Sequence, residues 1–167
     1  MPLPLPMPMP TITQRRGFTL IEMLVVLAIL GILAAAARPL LEMQVRRSQE
    51  TALRAALRNL RGAIDAYRQA ALAGQVLRAT GDSGYPPDLD TLVQGVPDIR
   101  SPDGARLYFL RRLPRDPFAA AGLPAADTWA LRSADSPPDA PRSGRDVFDV
   151  MSRSPSRALD GSLYADW

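Results

Sequence analysis

Residues Arg15 to Ala37, RRGFTLIEMLVVLAILGILAAAA, decide how this chain is built. Two arginines and a glycine lead into an apolar run of 20 residues, Phe18 to Ala37, interrupted by one carboxylate, Glu22. As a helix, such a run measures about 30 Å at ~1.5 Å per residue, the thickness of a bilayer's hydrocarbon core. An ionised carboxylate inside it costs roughly 2.5–3.5 kcal/mol, so Glu22 reads as a functional residue with a partner. An ordinary secretory signal has a shorter apolar core and a cleavage site behind it. Here the core is longer and the glycine stands in front. Arg15 and Arg16 bias the N-terminal side toward the cytoplasm, which sends the rest of the chain to the outer side of the membrane.

Working outward, residues 1–10, MPLPLPMPMP, alternate proline with Leu or Met and favour an extended chain that buries no core. With Thr11 to Gly17 they form a leader set apart from the fold, in which Met7 and Met9 are alternative starts. The 167 residues leave room for one membrane helix and one small domain. Cysteine and histidine are absent, and all 20 basic residues are arginine. That composition removes disulfides, thiolate metal sites and the usual triads and zinc centres. Residues 1–80 carry net charge +6 and residues 81–167 net −3. A basic half beside an apolar span suits a cytoplasmic-side anchor, and the acidic second half argues against nucleic-acid binding.

From Thr19 to about Ala73 the sequence reads as one helix, because between residues 11 and 85 the only proline is Pro39 and good helix formers fill the rest. Leu53, Leu57, Leu60, Ile64 and Tyr67 recur at helical spacing, with Arg54, Arg58, Arg61 and Arg68 as a neighbouring stripe. The apolar stripe should pack on the domain, and the other side should face water or a neighbouring subunit. After Gly81 the texture changes, with 11 of the 17 prolines beyond it. Residues 88–93 predict a short helix, and residues 107–110, 128–131 and 147–151 predict short strands. The fold class is α+β, a long N-terminal helix packed on a small antiparallel sheet.

Basic residues followed by G-F-T-L-I-E resemble the signal of the type IV pilin and type II secretion pseudopilin superfamily. In that superfamily a prepilin peptidase cuts after the glycine and methylates the new N-terminus. The resemblance implies a cut between Gly17 and Phe18, with Phe18 the methylated first residue. Glu22 then matches the glutamate at the fifth mature position, and Pro39 the helix-kinking proline at mature position 22. Further along, Leu113 to Phe118, LPRDPF, is similar to the L-P-x-D-P-W segment of the major pseudopilin of type II secretion. Residues Val147 to Val150 resemble its Y-D-L strand, and Leu159 to Gly161 with Asp166 and Trp167 its acidic end. Phe118 stands where the family has Trp, and Ala119-Ala120 where it has G-N. The family's loop after the Y-D-L strand often binds calcium; here it reads Ser152 to Arg157, SRSPSR, with two arginines.

The implied architecture is a leader over 1–17, a transmembrane and assembly helix over 18–38, its amphipathic continuation over 39–80 and a periplasmic α+β domain over 81–167. The implied function is a structural subunit of the inner membrane, not an enzyme, which polymerises into a periplasmic pseudopilus for type II secretion. Its partners would be copies of itself, other pseudopilins, the prepilin peptidase and the inner-membrane secretion platform. Within this reading Glu22 meets the N-terminal amine of a neighbouring Phe18 and sets axial register. Gly31 and Ala34 to Ala37 allow close helix approach, and Pro39 kinks or loosens the helix. Asp160 and Asp166, with Asp149 before them, are the candidate calcium ligands; backbone carbonyls would have to supply most of the six to eight oxygens calcium takes. Two other functions fit the residues. One is a type IV pilin or minor pilin, for adhesion, motility or DNA uptake; the other is a membrane-anchored binding module that never polymerises.

Overall fold

A computed structural model describes residues 17–167, apart from the side chains of residues 36–40. The leader expected over 1–17, Gly17 excepted, lies outside the described residues. The chain divides into two compact units, residues 1–42 and 43–167. Helix α1, Leu20–Leu72, supplies the described part of the first unit and the opening of the second. Its bounds fall within a residue of those expected at each end.

In the first unit Thr19 starts the helix. Its hydroxyl accepts the Glu22 N–H at 3.3 Å, and its carbonyl accepts the Met23 N–H at 3.2 Å. These contacts satisfy two of the donors that every helix start leaves open. Every described side chain of residues 17–35 is exposed, including Leu20 at 80% and Ile21 at 70%. Among the described residues no helix is long and apolar enough to cross a membrane. The apolar run goes on into residues whose side chains are not among them. Pro39 lies inside α1, and the kink expected there falls on those same residues.

The second unit is built on the amphipathic part of α1. Leu53, Leu57, Leu60, Ile64 and Tyr67 are all buried, joined by Ala56, Ala63, Ala70 and Ala71 between them. The expected stripe is the inner face of the domain. The helix stops where Gly74 takes φ +71°, with Gln75 N–H on the Ala70 carbonyl and Gly74 N–H on the Ala71 carbonyl. That paired closure is a glycine-dependent C-terminal cap, and it ends the continuation expected over 39–80 at Leu72.

Helix α2, Asp90–Gln94, buries Leu92 against the core. The Asp88 carboxylate accepts the Thr91 N–H at 2.7 Å, which explains why residues 88–93 read as a capped helix. Gly95 ends α2 at φ +72°, and a Cβ there would lie 2.7 Å from the Leu107 carbonyl oxygen, so only glycine fits. The strands form two separate pairs, where one small sheet was expected. Strands β1, Val96–Pro97, and β2, Arg106–Leu107, are antiparallel. Strands β3, Trp129–Arg132, and β4, Asp149–Ser152, are antiparallel with Trp129 opposite Ser152 and Arg132 opposite Asp149. The strand expected over 107–110 ends at Leu107, because the N–H groups of Phe109 and Leu110 both turn to the Leu92 carbonyl of α2. The strand expected over 147–151 begins two residues later; the Val147 N–H goes instead to the Pro86 carbonyl. Short 3₁₀ turns precede β3 at Ala126–Thr128 and close the sequence at Tyr164–Asp166.

Candidate functional site

At the start of the first unit, Gly17 is exposed and a Cβ added to it would meet nothing within 4 Å. The described residues therefore leave room for a side chain at this position. Phe18 beside it is 71% exposed. Glu22 sits in the first turn of α1, three residues past the capping Thr19. Thr19-Leu20-Ile21-Glu22 thus follows the T-x-x-E pattern of a helix start, a local role that the sequence reading missed although the spacing carries it. A carboxylate in the first turn also complements the positive end of the helix dipole. Glu22 is exposed, and among the described residues no cationic side chain pairs with it.

In the second unit the segments singled out by resemblance converge. Asp116 of LPRDPF is buried; one carboxylate oxygen accepts the Phe118 N–H at 2.8 Å and the other the Ser152 hydroxyl at 2.6 Å. The Asp116 N–H donates to the Thr128 hydroxyl at 3.2 Å, and the Trp129 indole N–H donates to the Pro114 carbonyl at 2.9 Å. Asp116 therefore ties the loop over 113–118 to the end of β4 and the foot of β3. Phe118, where the family has Trp, stacks on Tyr164 with ring centroids 4.2 Å apart, and Trp167 meets Tyr164 edge-on at 5.1 Å.

Tyr164 is fully buried, and burial pushes its phenol above the usual range. Its hydroxyl donates to Glu50 at 3.0 Å, and Glu50 also accepts the Leu159 N–H at 2.8 Å. Glu50 is a buried carboxylate of α1 that sequence reading did not single out. Its position beside the Leu53 stripe was the available signal.

The arginine stripe departs from expectation. Arg61 donates to Asp149 at 2.7 Å, and to the main-chain oxygens of Val150 at 3.1 Å and Trp167 at 2.6 Å. Arg54 reaches Asp160 at 3.3 Å and covers the Trp167 ring at 4.1 Å. Arg68 lies over Tyr85 at 4.7 Å and hydrogen-bonds its hydroxyl. These side chains serve their own domain; Arg58 alone of the four has no ion-pair or hydrogen-bond partner among the described residues. The long arginine stem packs along the core edge while its head reaches the loops, so the stripe flanks the apolar face without opposing it.

The calcium candidates stay apart. Asp149 is engaged by Arg61, and Asp160 by Arg54. The other Asp160 oxygen accepts both the hydroxyl and the N–H of Ser162, and those bonds hold its carboxyl below the usual range. Asp166 is exposed in the last 3₁₀ turn. Among the described residues no three His, Cys, Asp or Glu stand together as a metal site. A donor set in which guanidinium groups already hold two of the three carboxylates does not fit calcium.

A prokaryotic N-terminal methylation motif matches residues 12–37. That motif, running into a long helix packed on small antiparallel strand pairs, defines a protein of the type IV pilin and pseudopilin class. The chain is 32% identical over 111 residues to the type II secretion system core protein G of Klebsiella pneumoniae, covering 64% of this chain and 71% of that protein. It belongs to that family. No solved structure matches the chain.

Proposed function

We propose that this chain is a structural subunit that polymerises through its N-terminal helix into a periplasmic pseudopilus for type II secretion. In this reading the leader over 1–17 is removed between Gly17 and Phe18, and the new Phe18 amine is methylated by the prepilin peptidase. Residues 18–38 anchor the subunit in the inner membrane before assembly, with the domain on the periplasmic side. Copies of the chain, other pseudopilins and the inner-membrane secretion platform are its partners. Asp160 and Asp166 take part as turn and ion-pair residues of the domain.

The observation that carries the reading is Gly17. A glycine with open space around it stands within the matched methylation motif, directly before the apolar run. A requirement outside the fold, such as close approach by a peptidase, explains it. The apolar side chains over residues 18–35 that follow are exposed all round, a pattern that supports a helix meant for lipid or for other helices.

Intact-mass measurement of the protein from a host with a prepilin peptidase tests this. The expected product lacks residues 1–17 and carries one methyl group, and Gly17→Leu leaves it uncut. A full-length wild-type product in that host contradicts the reading.

A further inference from the structure

The residues that hold the last stretch of sequence onto the domain form a ladder along α1. Arg46, Arg54 and Arg61 are spaced by 8 and 7 residues, about two helical turns each, so they share one side of the helix. Between them the rungs grip residues from Asp149 to Trp167, with Trp167 shared by Arg54 and Arg61. Arg46 donates to the Tyr164 hydroxyl at 3.4 Å and to the Arg157 carbonyl. Arg54 takes Asp160 and the face of Trp167. Arg61 makes the densest contact: three oxygens from three residues, Asp149, Val150 and Trp167, converge on one guanidinium. Inside the loop itself, Arg157 donates to the Gly161 carbonyl at 2.8 Å.

Convergence of one carboxylate and two main-chain oxygens is the donor arrangement that a hard divalent cation would seek. Here a delocalised cation with a fixed fork of donors already fills it, and a fork satisfies several oxygens at once without asking for six to eight of them. A metal ion would have to displace Arg61 and then sit against the remaining positive rungs, with like charges opposing it. The geometry points to an arginine ladder doing the work of a cation: residues 149–167 are locked to α1 by Arg46, Arg54 and Arg61, and the domain's stability is indifferent to calcium. This inference concerns the domain alone and stands or falls independently of processing and polymerisation.

The test uses the full chain in detergent micelles, followed by thermal unfolding and by amide hydrogen exchange. Wild-type Tm should be the same in excess calcium chloride and in excess EGTA. Arg61→Ala should lower Tm by roughly 5–10 °C. It should also speed exchange of the amides in residues 157–167 by about tenfold or more, since those amides then open locally. Arg61→Lys should recover only part of the loss, because an ammonium keeps the charge without the fork. If Arg61→Ala does not fold, Arg54→Ala gives the same readout with a smaller shift. A wild-type Tm that rises with calcium or falls with EGTA overturns the proposal. So does an Arg61→Ala or Arg54→Ala protein whose exchange over 157–167 is unchanged.

Discussion

Residues 20–35 and residues 53–71 belong to one helix, yet they treat apolar side chains in opposite ways. In the first stretch Leu20, Ile21, Leu24, Leu27 and Ile32 are all more than half exposed. In the second, Leu53, Leu57, Leu60 and Ile64 are buried at 3% exposure or less. Backbone geometry does not separate them, since both are regular α-helix. The pattern of residues does. Beyond residue 50 the apolar positions recur at i, i+3 and i+4 and face one domain, whereas before residue 36 they run all the way round. A helix that is apolar on every side has no single face to give to its own domain, which is why the proposed function assigns it to lipid and to other copies. The lesson is that one element answers to two environments, and each half should fail in its own assay.

The largest effect expected is in the second half. Leu57→Asp buries an unpaired charge in the core, at a cost of about 3–5 kcal/mol or more. The domain should lose its near-ultraviolet circular dichroism and cooperative melt. Leu24→Ala, in the first half, should leave the domain's Tm unchanged. A Leu57→Asp domain that still melts cooperatively at the wild-type temperature would erase the contrast.

Next in size is Asp116. Asp116→Ala strips partners from the Phe118 N–H and the Ser152 hydroxyl, and should cost about 2–4 kcal/mol in denaturant unfolding. Asp116→Asn should keep part of it, because its side-chain oxygen still accepts one of the two bonds.

The smallest effect concerns acid. Burial alone would raise the Asp146 carboxyl, but bonds from the Ser133 hydroxyl and the Ala134 N–H, with Ser83 and Arg145 nearby, outweigh it and lower its pKa. A lowered folded-state pKa contributes stability that is present above the ordinary carboxylate value of about 4 and is lost as pH falls through the folded value. Tm should therefore fall below about pH 4, and Asp146→Asn should flatten that slope. Identical slopes in the two proteins would remove Asp146 from the account.

The helix was legible because its signal is periodic and long: good helix formers fill residues 19–73 with Pro39 the only proline among them, and the Leu53 to Tyr67 stripe fixed the buried face. The glycine-led start of the apolar run was legible because its residue order has a chemical reason. The strands were less so. Residues 107–110 carry a strand-like composition, but the Leu92 carbonyl captures two of their N–H groups, a tertiary contact with no local trace. Val147 likewise bonds to Pro86, far away in sequence. Arg61 read as a surface stripe because charge usually marks a solvated face, and nothing local shows that the main-chain oxygen of Trp167 comes to meet it. Glu50 escaped notice for the same reason: its partners lie more than 100 residues ahead.

The measurement that tests the central claim most directly is Glu22→Ala at matched membrane levels, read as cross-linked oligomer yield together with secretion. Glu22 is exposed and has no cationic partner among the described residues, so the folded chain loses little without it beyond a favourable charge in its first turn. Membrane insertion should be unchanged or slightly better, since an apolar helix no longer carries a carboxylate. The domain's Tm should not move. If the proposed assembly holds and Glu22 meets the N-terminal amine of a neighbouring Phe18, oligomer yield and secretion should nevertheless fall sharply. Equal oligomers and equal secretion in wild type and variant would contradict this account and leave a membrane-anchored module that does not polymerise through Glu22.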